Sequence, residues 1–97
     1  MVRLDAYLKN VGLFKSRSQA KRCIDDGRAC VQDRIARGSQ GVHIGDRLRI
    51  ETDTQLIEGE VLDVPVRPVA RARRSDCFRI DRNEPMAAEI LSFDDDA

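Results

Sequence analysis

The chain has 97 residues, 41% hydrophobic and 35% charged, and its 17 Lys/Arg balance 17 Asp/Glu to a formal net charge of zero. That length supports one domain with a modest core, and no window approaches the roughly 18 consecutive apolar residues of a membrane span. A large catalytic fold, a membrane protein and a disulfide-held miniprotein are thereby excluded.

Three cysteines, Cys23, Cys30 and Cys77, are odd in number and widely spaced, the pattern of free thiols acting as small hydrophobes. His43 is the single histidine, so no four-donor zinc set exists, and neither a metal nor a cofactor is expected. Met1-Val2-Arg3-Leu4-Asp5 has no apolar signal stretch, and the expected setting is the cytoplasm. The neutral total conceals an uneven distribution: residues 1–50 carry +6, residues 51–83 carry −1 and residues 84–97 carry −5. A basic half with an acidic end points to a polyanion-binding surface.

Leu4, Tyr7, Leu8 and Val11 repeat at i, i+3, i+4 and i+7, predicting a first helix with one apolar stripe. Gly12 suits its left-handed stop, and Leu13 is placed to pack back on Leu8. Asp5 falls in the first turn, where the favoured role is complementing the helix dipole; orienting Arg3 or a basic residue of the next helix is the alternative. Ser16 and Gln19 have capping-box spacing, Ala20, Cys23 and Ile24 supply a second buried stripe, and Gly27 ends the second helix. At about 100° per residue, Arg17 and Lys21 share one border of that stripe while Arg22 points elsewhere.

After Gly27 the period becomes that of strands. Residues 28–32 predict a strand, Asp33-Arg34 a turn and 35–37 a brief continuation, followed by the two-glycine loop Gly38-Ser39-Gln40-Gly41. Val42-His43-Ile44 alternates, Gly45-Asp46 turns, and residues 47–51 alternate cleanly. Residues 56–64 predict another strand, stopped by Pro65 and Pro68. The order is α+β: two N-terminal helices packed on a small, mostly antiparallel sheet of four to five strands, with a short C-terminal tail. Cys77, Phe78 and Ile80 belong to an edge strand or a docked segment, and residues 86–93 to a helical turn or two. The final Asp94-Asp95-Asp96-Ala97 is expected to be solvated.

Four blocks stand in order: Arg3-Leu4-Asp5-x-x-Leu8, Ser16-Arg17-x-x-Ala20, Ile24-x-x-Gly27-x-x-x-Val31 and Gly45-Asp46-x-Leu48-x-Ile50. Through them residues 2–51 resemble the alpha-L RNA-binding domain named after small-subunit ribosomal protein S-four. Family members usually carry Asn-Gly where Asp33-Arg34 stands and often Lys-Pro-Ser where Arg37-Gly38-Ser39 stands. Only 47 residues follow Ile50, which is expected to be too few for the enzymatic domains to which this module is sometimes attached. The resemblance is therefore to compact stand-alone members, the heat-shock ribosome-associated protein and the bacterial ribosome quality-control cofactor. It implies binding to large ribosomal subunits with a stalled peptidyl-tRNA, through ribosomal RNA and tRNA. The expected division is an alpha-L domain with an added strand (1–64), a basic extension (65–83) and an acidic, disordered tail (84–97).

The residues carry a mechanism of their own. Arg and Lys gain free energy by releasing counterions held on phosphates. Arg3, Lys15, Arg17 and Lys21 are the first candidates for RNA backbone contacts, Arg28, Arg34 and Arg37 extend the surface, and Arg22 joins the set. One Tyr, three Phe and no Trp leave few stacking platforms, which favours folded RNA read by shape over single strands. Tyr7 sits on the apolar stripe and reads as core. Ser16 is a cap without a nearby histidine, and no paired carboxylates mark a cleft, so no catalytic residue is expected. The expected partners are structured RNA and the large ribosomal subunit, engaged by a monomer. The alternatives are a helix-turn-helix-like DNA reader and a protein-interaction adaptor. The acidic tail either solubilises or folds over the basic surface and competes with RNA.

Overall fold

The computed structural model describes residues 2–85; the expected helical turns at 86–93 and the acidic residues after them lie outside this range. Strand β1 (Val2–Arg3) leads into helix α1 (Leu4–Asn10), followed by α2 (Arg17–Asp25). Then come β2 (Ala29–Val31), β3 (Arg34–Ile35), β4 (Gly41–Val42), β5 (Arg47–Glu51) and β6 (Gln55–Val61). A 3-10 turn at Arg71–Arg73, the short helix α3 (Arg74–Cys77) and β7 (Phe78–Pro85) complete the described chain.

Five strands form one antiparallel sheet in the order β3-β2-β5-β6-β7, while β1 and β4 pair separately. The alternation expected over 47–51 is observed: Leu48 and Ile50 are buried, and Arg47 and Arg49 point outward. Leu4, Tyr7 and Leu8 of α1 and Ala20 and Ile24 of α2 join Leu48, Ile50, Ile57 and Val61 in one core. Full burial of each such aliphatic side chain contributes about 1.5–3 kcal/mol. Tyr7 is part of this core; its hydroxyl donates to the Cys77 carbonyl at 2.8 Å, and its ring meets Phe78 edge-on at 6.5 Å.

Both helices start and stop as their sequences dictate, with one difference at the first start. Ser16 Oγ accepts from the Gln19 amide at 3.2 Å, and Gly12 (φ +82°) and Gly27 (φ +78°) terminate the helices in the left-handed region. At the start of α1, Arg3 supplies no side-chain cap. The amides of Leu4 and Asp5 instead donate to the carbonyls of Gln40 (2.8 Å) and Gly38 (3.3 Å), so the two-glycine loop caps the helix.

Several boundaries differ from expectation. The β2–β3 turn is Gln32-Asp33, both at positive φ (53° and 66°), and Arg34 is in β3 rather than in the turn. The strand expected at 42–44 is shorter and shifted to Gly41–Val42, because only those residues face β1. The strand expected at 56–64 runs Gln55–Val61. Of the two placements left open for the Phe78 group, the edge strand is observed: β7 pairs with β6 along its whole length, with a bulge at Glu58/Gly59 where Phe78 lies over Gly59. Glu84 and Pro85, expected to begin the acidic tail, are the last residues of β7.

Residues 62–77 strap across α1. Asn10 Nδ2 donates to the Pro65 carbonyl at 3.1 Å, the Val69 amide donates to the Asn10 carbonyl at 3.1 Å, and the Leu62 amide donates to Cys77 at 2.8 Å.

Candidate nucleic-acid interface

Asp5 organises the basic surface. It is 1% exposed, and its two oxygens accept from different arginines: Arg3 Nη2 at 3.1 Å and Arg17 Nε at 3.2 Å. A buried carboxylate is tolerated when it is paired and hydrogen-bonded, and here both cations remain about half exposed. The arginines are thus fixed at one end while their remaining N–H groups face solvent. Asp5 stands in the first turn of α1, as the dipole reading expects, and its side chain also fills the alternative, orienting role toward Arg3 and Arg17. Gly38 leaves room for the same carboxylate: a Cβ there would lie 3.2 Å from Asp5 Oδ2.

A groove of about 420 Å³ opens beside this cluster, between the start of α1, the flank of α2 and residues 35–39. Arg3, Lys21 and Arg37 supply its charge, Gly38 and Ser39 part of its wall, and exposed Ile35 an apolar rim. Lys21 Nζ lies 2.8 Å from Asp25, but both side chains are more than half exposed. Exposed pairs of this kind contribute only about 0–1 kcal/mol, so exchanging that carboxylate for a phosphate costs little.

The structure therefore gathers Arg3, Arg17, Lys21 and Arg37, with Arg17 joined through Asp5. It does not bring all eight candidates together. Arg22 and Arg28 line a separate groove of about 280 Å³ with Phe14, Cys23 and Asp53, where Arg28 is paired with Asp53 at 2.9 Å. Helical geometry accounts for this division, because Lys21 and Arg22 project about 100° apart. Lys15, in the connection before α2, and Arg34, in β3, are exposed and line neither groove. Burial pushes the Cys23 thiol above its ordinary pKa, keeping it protonated and unreactive near neutral pH. No group of three or more His, Cys, Asp or Glu among the described residues is placed to hold a metal ion.

Sequence reasoning placed the cations and held the orienting role of Asp5 as an alternative, but missed the loop. The signal for that role was an acid at position 5, bordering an apolar stripe and two residues from Arg3. The capping of α1 by residues 38–40 had no such signal, since it uses backbone carbonyls alone.

Comparison with known proteins matches residues 2–48 to the S4 domain. The RQC P-site tRNA stabilizing factor of Halalkalibacterium halodurans is 30% identical over 86 residues, 89% of this chain and 97% of that protein. The protein of the same name from Streptococcus pneumoniae is 33% identical over 63 residues, 65% of this chain and 72% of its own length. The trimeric structure of Vibrio cholerae heat shock protein 15 superposes with a TM-score of 0.77 at 20% identity, covering 99% of this chain and 92% of that one. At that identity the likeness concerns the fold.

Proposed function

We propose a function from one premise: the chain belongs to the S4 domain family that includes the RQC P-site tRNA stabilizing factors. It is a ribosome-associated RNA-binding protein that acts by binding alone. Its working surface is the groove of Arg3, Lys21 and Arg37 with Arg17 beside it on Asp5, and its ligand is structured RNA, ribosomal RNA or tRNA, on a large ribosomal subunit halted in translation. The observation that carries this reading is the buried Asp5 carboxylate holding two half-exposed arginines side by side. Planar guanidinium groups fixed in this way suit the phosphates of a folded RNA backbone.

Sedimentation of cell extract through a ribosome gradient tests the proposal. The wild-type protein is expected with large subunits, and the double variant Arg17→Glu/Lys21→Glu at the top of the gradient. Unchanged co-sedimentation of the variant, or displacement of wild-type protein by duplex DNA as readily as by structured RNA, overturns it.

A further inference from the structure

The basic extension over α1 forms a second cationic surface at the other end of that helix. Residues 65–75 hold four arginines, Arg67, Arg71, Arg73 and Arg74, and no acid. Among the described residues none of the four has an ion-pair partner, whereas the arginines of the outer sheet face are all paired. The extension is held in place by its bonds to Asn10 and by Tyr7 on Cys77. The Arg74 guanidinium lies over the Gly12 backbone, where any Cβ would collide with it.

Beside it is a cleft of about 570 Å³ between residues 11–13 and the start of β7. Arg71, Arg74, Ser75 and Arg79 line it together with the apolar Leu13, Phe78 and Ile80, and among the described residues only Arg79 of its three arginines is ion-paired, to Glu60 and Asp81. Ile80 is 47% exposed although large and aliphatic. Two arginines without ion-pair partners, in one cleft with the exposed Ile80 and the partly buried Leu13, match a ligand that joins phosphate to a sugar or base.

We propose that this cleft is a second RNA-binding site, taking the backbone and an adjoining nucleotide of an RNA segment distinct from the one in the Arg3–Arg37 groove. The choice of RNA as occupant rests on the RNA-binding reading above. The two sites lie before the start and beyond the end of α1, whose seven residues span about 10 Å. One molecule thereby links two stretches of RNA backbone through a rigid helix.

The test is equilibrium binding of the full chain to a fluorescently labelled RNA hairpin with a single-stranded 3′ extension, measured from low to moderate salt. The double variant Arg71→Ala/Arg74→Ala is expected to bind about five- to tenfold more weakly at physiological salt. Its slope of log affinity against log salt should be reduced by about 1.5, since each lost phosphate contact removes roughly 0.7–0.9. Its melting temperature should be unchanged, because both side chains are exposed. Arg49→Ala/Arg82→Ala, with the same change in net charge on the outer sheet face, should keep the wild-type slope. If Arg71→Ala/Arg74→Ala behaves like that control while Arg17→Glu/Lys21→Glu loses binding, the second site is wrong and the groove stands. If only Arg71→Ala/Arg74→Ala loses binding, the groove fails and the cleft stands. Binding of a polyglutamate peptide that depends on Arg71 and Arg74, with RNA affinity unaffected, would make the cleft a peptide site and overturn the proposal.

Discussion

Asp5 brings a negative charge into a region that otherwise gathers cations, and two opposing effects follow. Its charge lowers the local positive potential that attracts phosphate, while its oxygens hold Arg3 and Arg17 in a shared orientation. The two effects predict opposite signs for Asp5→Asn, which raises the net charge by one and keeps the side-chain shape. Orientation is the larger effect, because unanchored arginines regain the rotamer freedom that binding must then remove. The variant should therefore bind RNA severalfold more weakly despite its extra positive charge, as titration at constant salt will show. It should also lose about 1–2 kcal/mol of stability in urea unfolding, less than for a fully buried pair because both arginines reach solvent.

At the scale of elements, the β2–β3 hairpin carries local strain. A two-residue turn with positive φ at both positions matches the right-handed twist of the strands but favours Asn-Gly, and here the positions hold Gln32 and Asp33. Gln32 compensates, since its Oε1 accepts the Arg47 amide at 2.8 Å; no side-chain hydrogen bond is recorded for Asp33 among the described residues. Asp33→Gly should raise stability by about 0.5–1 kcal/mol, read as a higher urea midpoint at unchanged slope. This hairpin also marks the limit of what its sequence reveals. The helices were legible because apolar stripes and caps are local, and β5 because it alternates. The turn was misplaced by one residue because neither Gln32 nor Asp33 is a strong turn signal. Strand β1 escaped notice because two residues hold no period and their partner lies about forty positions away. Strand β7 was left open because seven of its eight residues are exposed, which leaves no alternation to read. In the site, residue types were legible but their division between two grooves was not, since that depends on how α2 is rotated against the loop.

Across the whole molecule, charge is divided between two kinds of surface. The outer sheet face is self-neutralising: Arg47 and Arg79 share Asp81 and Glu60, and Arg49 and Arg82 share Glu58. Hydrogen bonds from Arg79 and Arg47 hold the Asp81 carboxyl below its ordinary pKa, and Arg82 does the same to Glu84. Because these folded-state values are depressed, the stabilisation is present above the ordinary carboxylate range and is lost as pH falls through the lowered values. The melting temperature at low salt should therefore decline on acidification below about pH 4. Asp81→Asn should decline less, and high salt should narrow the difference between the two proteins. On the helical side neutralisation is incomplete: Arg3 and Arg17 share one carboxylate, and among the described residues Lys15, Arg22, Arg34 and Arg37 have no ion-pair partner, so polyanions should approach it in preference to the sheet.

The loop at residues 38–40 is fastened to the first turn of α1 by its own carbonyls. Shape at the groove is then set by backbone bonds formed when the domain folds, and no later adjustment is needed to create it. On the proposed reading, association with RNA would be governed by how often the two meet and by the ionic medium. During heat stress, recognition should persist until the domain itself melts.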